Sequence, residues 1–183
     1  MRIIAGEMRG RILKTVAGIQ TRPTSDKVKG AIFNVLGDRV KDARILDLFT
    51  GTGNLALEAL SRGAREAVLV EKGHSAFKVV RENIRRLGLE HKAKVVLMDA
   101  FKFLDNYHDE VFNLIFLDPP YHQELVSKSL TILSERLFLG PNGVIIAETA
   151  KDDQLNAAMF SLEIRKVSLY GDTKVWYLQS MDV

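Results

Sequence analysis

Cysteine is absent from this chain of 183 residues, and so is any long apolar run. The lack of cysteine excludes a disulfide scaffold, a thiolate nucleophile and a zinc site built on cysteine, and it fits a reducing compartment. No apolar segment approaches the roughly 18 residues that span a bilayer, and the amino terminus lacks the charged-then-apolar pattern of a secretory signal. The four histidines lack the close helical spacing of a metal pair. We therefore expect a cytoplasmic protein without a metal site.

The composition that is present indicates one globular domain with a polarised charge. Hydrophobic residues make up 46% of the chain and charged residues 27%, which is typical of a domain with a sizeable core. Residues 1–30 hold seven basic and two acidic side chains, a balance of +5, whereas the remaining 153 residues have a balance of −2. Basic side chains that neutralise phosphates release condensed counterions, so this excess favours a polyanion partner. On charge alone, a solvated charged surface explains it equally well.

The amino-terminal segment predicts a small β-hairpin. Residues 1–5 and 11–16 have the pattern of two short strands around a turn that contains two glycines, and this hairpin would expose Arg2, Arg9 and Arg11. A polar link follows, and a threonine or serine at 24–25 can cap the next helix.

From residue 44 onward, apolar strands alternate with amphipathic helices, which predicts a parallel, doubly wound α/β sheet. The predicted strands are 44–48, 67–71, 94–98, 111–117 and 143–147, and the predicted helices are 54–62, 75–88, 100–105 and 123–137. The tail differs, because segments 162–169 and 174–179 are joined by a short turn that suits an antiparallel hairpin. The expected fold is a Rossmann-like, mostly parallel seven-stranded sheet with an antiparallel carboxyl-terminal edge hairpin.

The end of the first strand contains a glycine-rich turn. Ligands of open α/β sheets bind at the carboxyl ends of strands, and Gly51 and Gly53 allow a tight turn with close approach of a ligand to the backbone. Such a turn is also compatible with a dinucleotide. Asp47, just before it, can reach a cationic amino group but offers nothing to a pyrophosphate, and so favours an aminoacyl ligand.

The next two strand ends each supply a carboxylate. Glu71 lies 18 residues beyond Gly53, where it can accept both hydroxyls of a ribose, although NAD is equally compatible with it. Asp99 can accept from the exocyclic amine of an adenine, with a backbone donor from Ala100 or Phe101 facing a ring nitrogen. A simple helix N-cap is the alternative role for Asp99.

The fourth strand ends in the sequence FLDPPY, where an apolar run stops at a carboxylate followed by two prolines and an aromatic residue. A rigid loop is the structural explanation, because proline fixes φ and removes ladder donors. The functional explanation is that strands 1 and 4 neighbour the point where the sheet order reverses, which brings Asp118 into the same crevice as the glycine turn.

These motifs resemble a class I S-adenosylmethionine-dependent methyltransferase, and Asp118-Pro119-Pro120-Tyr121 is similar to the motif of enzymes that methylate exocyclic amines. The Asp118 carboxylate and the Pro119 carbonyl can hold the two N–H bonds of such an amine so that its lone pair points at the methyl group. Tyr121 can stack on a base that has left its helix or loop.

A narrower resemblance covers essentially the whole chain. The segments MRIIAG, RGR, RPTSD and AIFN near the amino terminus, with LSRGA and the final YGDT, resemble the RsmD family of bacterial 16S ribosomal RNA guanine-N2 methyltransferases. The resemblance implies S-adenosyl-L-methionine as cofactor, a guanine in small-subunit particles as substrate, and action as a monomer. It also implies a division into a basic hairpin extension at 1–20 and a methyltransferase domain at 21–183.

The resemblance assigns further residues. Arg22 and Thr24 would contact the cofactor or the target nucleotide, Phe49 and Lys72 would complete the donor site, and the amino-terminal cations would contact RNA phosphates. These cations are Arg2, Arg9, Arg11, Lys14 and Arg22. Asn54 departs from the small residue that relatives often have there. Because DPPY is shared with adenine-modifying enzymes, an adenine-N6 methyltransferase is the main alternative; a non-catalytic ribosome-assembly factor and an NAD oxidoreductase are the others.

Overall fold

A computed structural model describes residues 1–16, 25–121, 124–156 and 161–181 of the protein, and it is built on one seven-stranded sheet. The strands are β1 (Arg44–Asp47), β2 (Glu66–Glu71), β3 (Ala93–Leu97), β4 (Phe112–Leu117), β5 (Leu139–Ala150), β6 (Leu162–Tyr170) and β7 (Thr173–Ser180). Their order across the sheet is β3-β2-β1-β4-β5-β7-β6.

Strands β1 to β5 are parallel, and β7 pairs antiparallel with both β5 and β6. The predicted doubly wound sheet and its antiparallel edge hairpin are thereby confirmed. The single strand of opposite direction, β7, lies inside the sheet, and β6 forms the edge. The order reverses between β1 and β4, which pair directly through the register Ile45 to Leu114. This reversal opens a crevice at their carboxyl ends.

Helices cover both faces of the sheet, which explains why the central strands are continuous apolar runs. The helices are α1 (Asp26–Leu36), α2 (Asn54–Ser61), α3 (His74–Leu87), α4 (Ala100–Asn106) and α5 (Leu125–Glu135), with a short 3-10 helix at Gly37–Val40. Helices α1 to α3 pack on one face of the sheet and α4 and α5 on the other. The serine predicted as a cap of α1 fulfils that role, because Ser25 Oγ accepts from Val28 N at 3.2 Å. Within the described residues, we find no helix with the length and apolar character needed to cross a membrane.

The amino-terminal hairpin is present and short: Arg2 and Ile12 form an antiparallel bridge, and next to it Ile3 N donates to Arg11 O at 2.9 Å and Leu13 N donates to Met1 O at 3.1 Å. The pairing is shorter than the predicted strands at 1–5 and 11–16, and the N–H groups of Ile4 and Ala5 donate to the carboxylate of Glu58 in α2. The segment is also packed rather than free-standing, since Ile3 is buried in the core. The proposed division of the chain at 1–20 and 21–183 stays a prediction, and residues 17–20 lie outside the described part.

Glycine is required at position 6, where the amino-terminal segment meets α2. The residue has a φ of 81°, and a Cβ added to it would lie 1.8 Å from the backbone oxygen of Ser61. The close approach allows Glu7 N to donate to that same oxygen at 2.9 Å, while Ser61 Oγ donates to the carbonyl of Ala5. These contacts fix the start of the chain against the helix that follows the glycine-rich turn.

Candidate active site

A cleft of about 820 Å³ opens at the carboxyl ends of β1, β2, β3 and β4, a size within the usual range for small-molecule sites. Six residues assigned to the donor from the sequence line it: Phe49, Gly51, Glu71, Lys72, Asp99 and Ala100. All four residues of the DPPY motif line it as well. The four strand ends therefore meet in one cleft, as the doubly wound topology requires.

The glycine-rich turn supplies the floor of the cleft through its backbone. Gly51 has a φ of 54° and Gly53 a φ of 88°, conformations that favour glycine. A Cβ on Gly53 would lie 2.8 Å from the Leu57 side chain and 2.9 Å from that of Val80, so this glycine lets α2 and α3 approach each other. Gly53 itself is not among the residues that line the cleft. Of the two glycines, Gly51 is the one placed to face a ligand.

Asp47 lies beneath the turn rather than in the cleft. Its side chain is buried, and Oδ2 accepts from Thr50 Oγ1 at 3.0 Å. Burial is the main reason that its pKa is raised to about 7; hydrogen bonds from Thr50, Phe49 N and Ala56 N oppose the shift, and the Asp118 carboxylate adds to it. The predicted contact with a cationic amino group stays a prediction, because Asp47 is not among the residues that line the cleft.

Glu71 lies at the wall of the cleft and supports the turn. Its Oε2 accepts from Gly51 N at 2.9 Å and its Oε1 accepts from Gly73 N at 2.6 Å. Each carboxylate oxygen can accept a second hydrogen bond, so both remain able to receive ribose hydroxyls. The two backbone contacts hold the carboxylate in place for a ligand.

Asp99 forms the N-cap of α4, which is the structural alternative that the sequence offers for this residue. Its Oδ1 accepts from Phe101 N at 3.0 Å and from Lys102 N at 3.3 Å. Because both bonds end on Oδ1, Oδ2 can accept from an exocyclic amine. The cap and the predicted adenine contact are therefore compatible.

The DPPY motif begins where β4 ends. Asp118 follows the last residue of the strand and Pro119 is buried, whereas Pro120 is exposed. The Tyr121 hydroxyl shares a hydrogen bond of 3.0 Å with Thr173 Oγ1, at the start of β7. The carboxyl-terminal hairpin thus fixes the aromatic ring of the motif at the cleft.

Several residues that line the cleft are not predicted from the sequence. Met1, Thr15 and Val16 line it from the amino-terminal segment, and His74 lines it from the start of α3. Met1 Sδ accepts from the hydroxyl of Thr52 in the glycine-rich turn at 3.4 Å. No local motif signals these contacts, because they arise from packing between distant segments.

The predicted RNA-binding cations differ in their surroundings. Arg9 and Arg11 are exposed, whereas Arg2 pairs with Asp26 at 2.9 Å and Lys14 pairs with Glu82. Arg22 and Thr24 lie outside the described residues. The roles of all these residues in binding stay predictions.

Comparisons with known proteins show the family of this chain. A family model described as "Conserved hypothetical protein 95" matches residues 1–179. The "Putative rRNA methyltransferase YlbH" of Bacillus subtilis is 40% identical over 96% of both chains. The "Ribosomal RNA small subunit methyltransferase D" of Escherichia coli is 34% identical over 92% of this chain and 85% of its own.

A solved structure supports the same assignment. The "Putative methyltransferase yhhF from Escherichia coli" superposes with a TM-score of 0.85, with 32% identity, over 98% of this chain and 97% of the other. The chain therefore belongs to the Conserved hypothetical protein 95 family, the RsmD family of class I S-adenosylmethionine-dependent methyltransferases that its sequence motifs resemble.

Proposed function

We propose that this protein transfers a methyl group from S-adenosylmethionine to the exocyclic N2 amine of a guanine in 16S ribosomal RNA, on assembled or partly assembled small subunits. The observation that carries the proposal is the meeting of the DPPY motif and the donor-type strand ends in one cleft. Relatives at 34–40% identity whose names specify ribosomal RNA, and in one case the small subunit, support the substrate class.

The residues of the cleft fit the donor. Glu71 offers acceptors for the ribose, Asp99 offers one for the adenine amine, and the backbone at Gly51 leaves room for close approach. When bound, S-adenosylmethionine supplies a methyl group already activated on a sulfonium. Alignment of the acceptor nitrogen is then the main demand on the protein, and a strong base is dispensable.

The DPPY motif meets this demand by orienting the target amine. The lone pair of a guanine N2 is delocalised into the ring, so the amine is a poor nucleophile. The Asp118 carboxylate and the Pro119 carbonyl accept from its two N–H bonds and direct the lone pair at the methyl group. The new N–C bond forms as the sulfonium C–S bond breaks, and the nitrogen then releases a proton to the solvent or to the carboxylate.

Tyr121 completes the acceptor side of the cleft. A base drawn out of its RNA fold can stack on the phenol ring, a contact of about 1–3 kcal/mol. Because the Tyr121 hydroxyl is held by Thr173, the ring is oriented before RNA binds. The prolines 119 and 120 restrict the loop between the carboxylate and the ring.

The amino-terminal segment supplies the cations that contact RNA in this proposal. Arg9 and Arg11 are exposed on the turn, close in sequence to residues that line the cleft. Arg22 and Thr24 are assigned to the cofactor or the target nucleotide by family resemblance. The proposal also includes action as a monomer and a location in the cytoplasm. Light scattering during gel filtration tests whether the protein is a monomer.

One experiment tests the reaction and its specificity. The purified protein is incubated with labelled S-adenosylmethionine and small subunits from cells that lack the endogenous modification, and the RNA is digested and mapped by mass spectrometry. We expect one methylated guanine, with N2 as the modified atom. A methylated adenine would replace the proposal with the adenine-N6 alternative, and no incorporation into RNA would overturn it.

A further inference from the structure

The middle of the chain contains a second basic segment, although residues 31–183 taken together have a charge balance of −2. Residues 72–94 hold seven basic side chains against two acidic ones, a balance of +5: Lys72, Lys78, Arg81, Arg85, Arg86, Lys92 and Lys94 against Glu82 and Glu90. The parts of the chain outside 1–30 and 72–94 have a balance of −7. Positive charge is therefore concentrated in two segments, and the acidic remainder disfavours contact with a polyanion.

Three of these cations form one face of α3. Lys78, Arg81 and Arg85 are three and four positions apart, so they are neighbours on the helix, and all three are exposed. They border a groove of about 620 Å³ that also includes Ile84 of α3 and Val95 of the edge strand β3. We call Lys78, Arg81 and Arg85 the α3 basic face.

The α3 basic face is structurally continuous with the basic amino-terminal segment. Lys14 pairs with Glu82 of α3, and this hydrogen bond lowers the pKa of the glutamate. Asn83, the next residue of α3, accepts from Lys14 N at 2.8 Å and donates to the carbonyl of Thr52 at 3.0 Å. One asparagine thus joins the amino-terminal segment, α3 and the turn of the active-site cleft.

The same helix connects the face to the cleft. α3 begins at His74, which lines the cleft, and its 14 residues extend about 21 Å away from it at 1.5 Å per residue. Of the two acidic residues at the groove, Glu82 is paired with Lys14. Arginine side chains match phosphate oxygens bidentately, and an adjoining apolar surface can accept a sugar or base.

We propose, resting on the function proposed above, that the α3 basic face binds backbone phosphates of the RNA strand beside the nucleotide that enters the cleft. The RNA then contacts two connected basic surfaces, the amino-terminal turn and α3, on the same side of the molecule. These contacts position the target without reading its sequence.

The test compares two double variants with the same loss of charge. Arg81→Gln with Arg85→Gln removes two cations of the α3 basic face, and Arg39→Gln with Lys166→Gln removes two exposed cations outside both basic segments. Binding to a fluorescent fragment of small-subunit ribosomal RNA is measured by anisotropy at several salt concentrations, with donor binding by calorimetry and thermal unfolding as checks of folding. Lys78→Gln is measured in parallel as a single substitution.

We expect the α3 double variant to bind about tenfold more weakly at 0.1 M salt, with a salt slope smaller by about 1.5, because each phosphate contact contributes about 0.7–0.9 to the slope. The slope of Lys78→Gln should fall by about one, and the control should keep the native slope. Equal slopes for the α3 double variant and the control would overturn the proposal. Because binding is read without turnover, this outcome is distinct from failure of methylation by the wild-type protein, which would overturn the proposed function instead.

Discussion

The ammonium group of Lys29 lies 2.7 Å from Asn54 Oδ1 in the interior of the protein. Asn54 is the first residue of α2, immediately after the glycine-rich turn, and Lys29 belongs to α1. The same ammonium donates to the carbonyl of Arg2 at 2.6 Å and lies 3.2 Å from Glu58 Oε2. The unusual asparagine after Gly53 is thereby explained, since its side-chain oxygen accepts from a buried cation.

This network predicts a large cost for removing its cation. Burial lowers the pKa of Lys29, and Glu58 opposes that shift. Lys29→Met leaves Glu58 buried with Arg62 as its remaining cationic partner, and we expect a loss of about 3 kcal/mol in the free energy of unfolding. Urea denaturation measures it.

A neighbouring lysine provides the control for this loss. Lys27 is exposed on the same helix, so Lys27→Met should change the free energy of unfolding by less than about 0.5 kcal/mol. Equal effects of the two single lysine substitutions would show that the ion pair contributes nothing.

The carboxylate of the DPPY motif gives the second prediction. Asp118→Asn keeps the shape of the side chain but replaces one acceptor by a donor, so the target amine loses its alignment. We expect kcat for RNA methylation to fall by about 10²-fold or more, with RNA binding retained. Single-turnover methylation and anisotropy measure the two quantities separately.

An exposed carboxylate is the control for charge. Asp105→Asn in α4 makes the same chemical change away from the cleft lining, and its turnover should match that of the wild-type protein. Undiminished turnover in Asp118→Asn would remove the carboxylate from the mechanism.

Most of the sheet could be predicted because its strands are continuous apolar runs between periodic helices. Strand β5 was predicted at 143–147 but begins at Leu139, because Leu139 pairs with Phe112 and the register then shifts before Leu114 pairs with Val144. The intervening glycines and proline indicate a turn in the sequence, whereas the structure accommodates them in an irregularity of the strand. Composition alone does not distinguish a turn from an irregular strand.

The cleft was only partly predictable for a related reason. Strand ends can be aligned from topology, so Glu71, Asp99 and Asp118 were found from the sequence. Met1 and Thr15 line the same cleft because the amino-terminal segment packs across α2 and α3, and contacts between such distant segments leave no local pattern. The basic charge near the start of the chain suggested a role in RNA binding and gave no indication of this packing.

The hydrogen bond between Tyr121 and Thr173 gives the third prediction. Thr173→Val preserves the shape of the side chain and removes the hydroxyl, so the phenol ring loses its anchor on β7. A hydrogen bond of about 0.5–1.5 kcal/mol corresponds to a rise of about two- to twelvefold in KM for RNA. Steady-state kinetics with varied RNA measures this rise, and donor affinity by calorimetry should be unchanged.

Rescue by serine separates this role from packing. Thr173→Ser retains the hydroxyl and loses a methyl group, so its KM for RNA should remain near that of the wild-type protein. If serine and valine raise KM equally, the methyl group rather than the hydrogen bond supports Tyr121.

The pKa of Asp47, raised by burial from 3.8 to about 7, gives the last prediction. The unfolded chain loses this proton near pH 4 and the folded protein holds it to about pH 7, so the associated stability is present at low pH and is lost as the pH rises through this window. Asp47→Asn removes the titration. Relative to the wild-type protein, the free energy of unfolding of the variant should therefore increase by about 3 kcal/mol between pH 5 and pH 8. Urea denaturation of both proteins at each pH measures the difference; a constant difference across this range would mean that Asp47 is already ionised in the fold at pH 5.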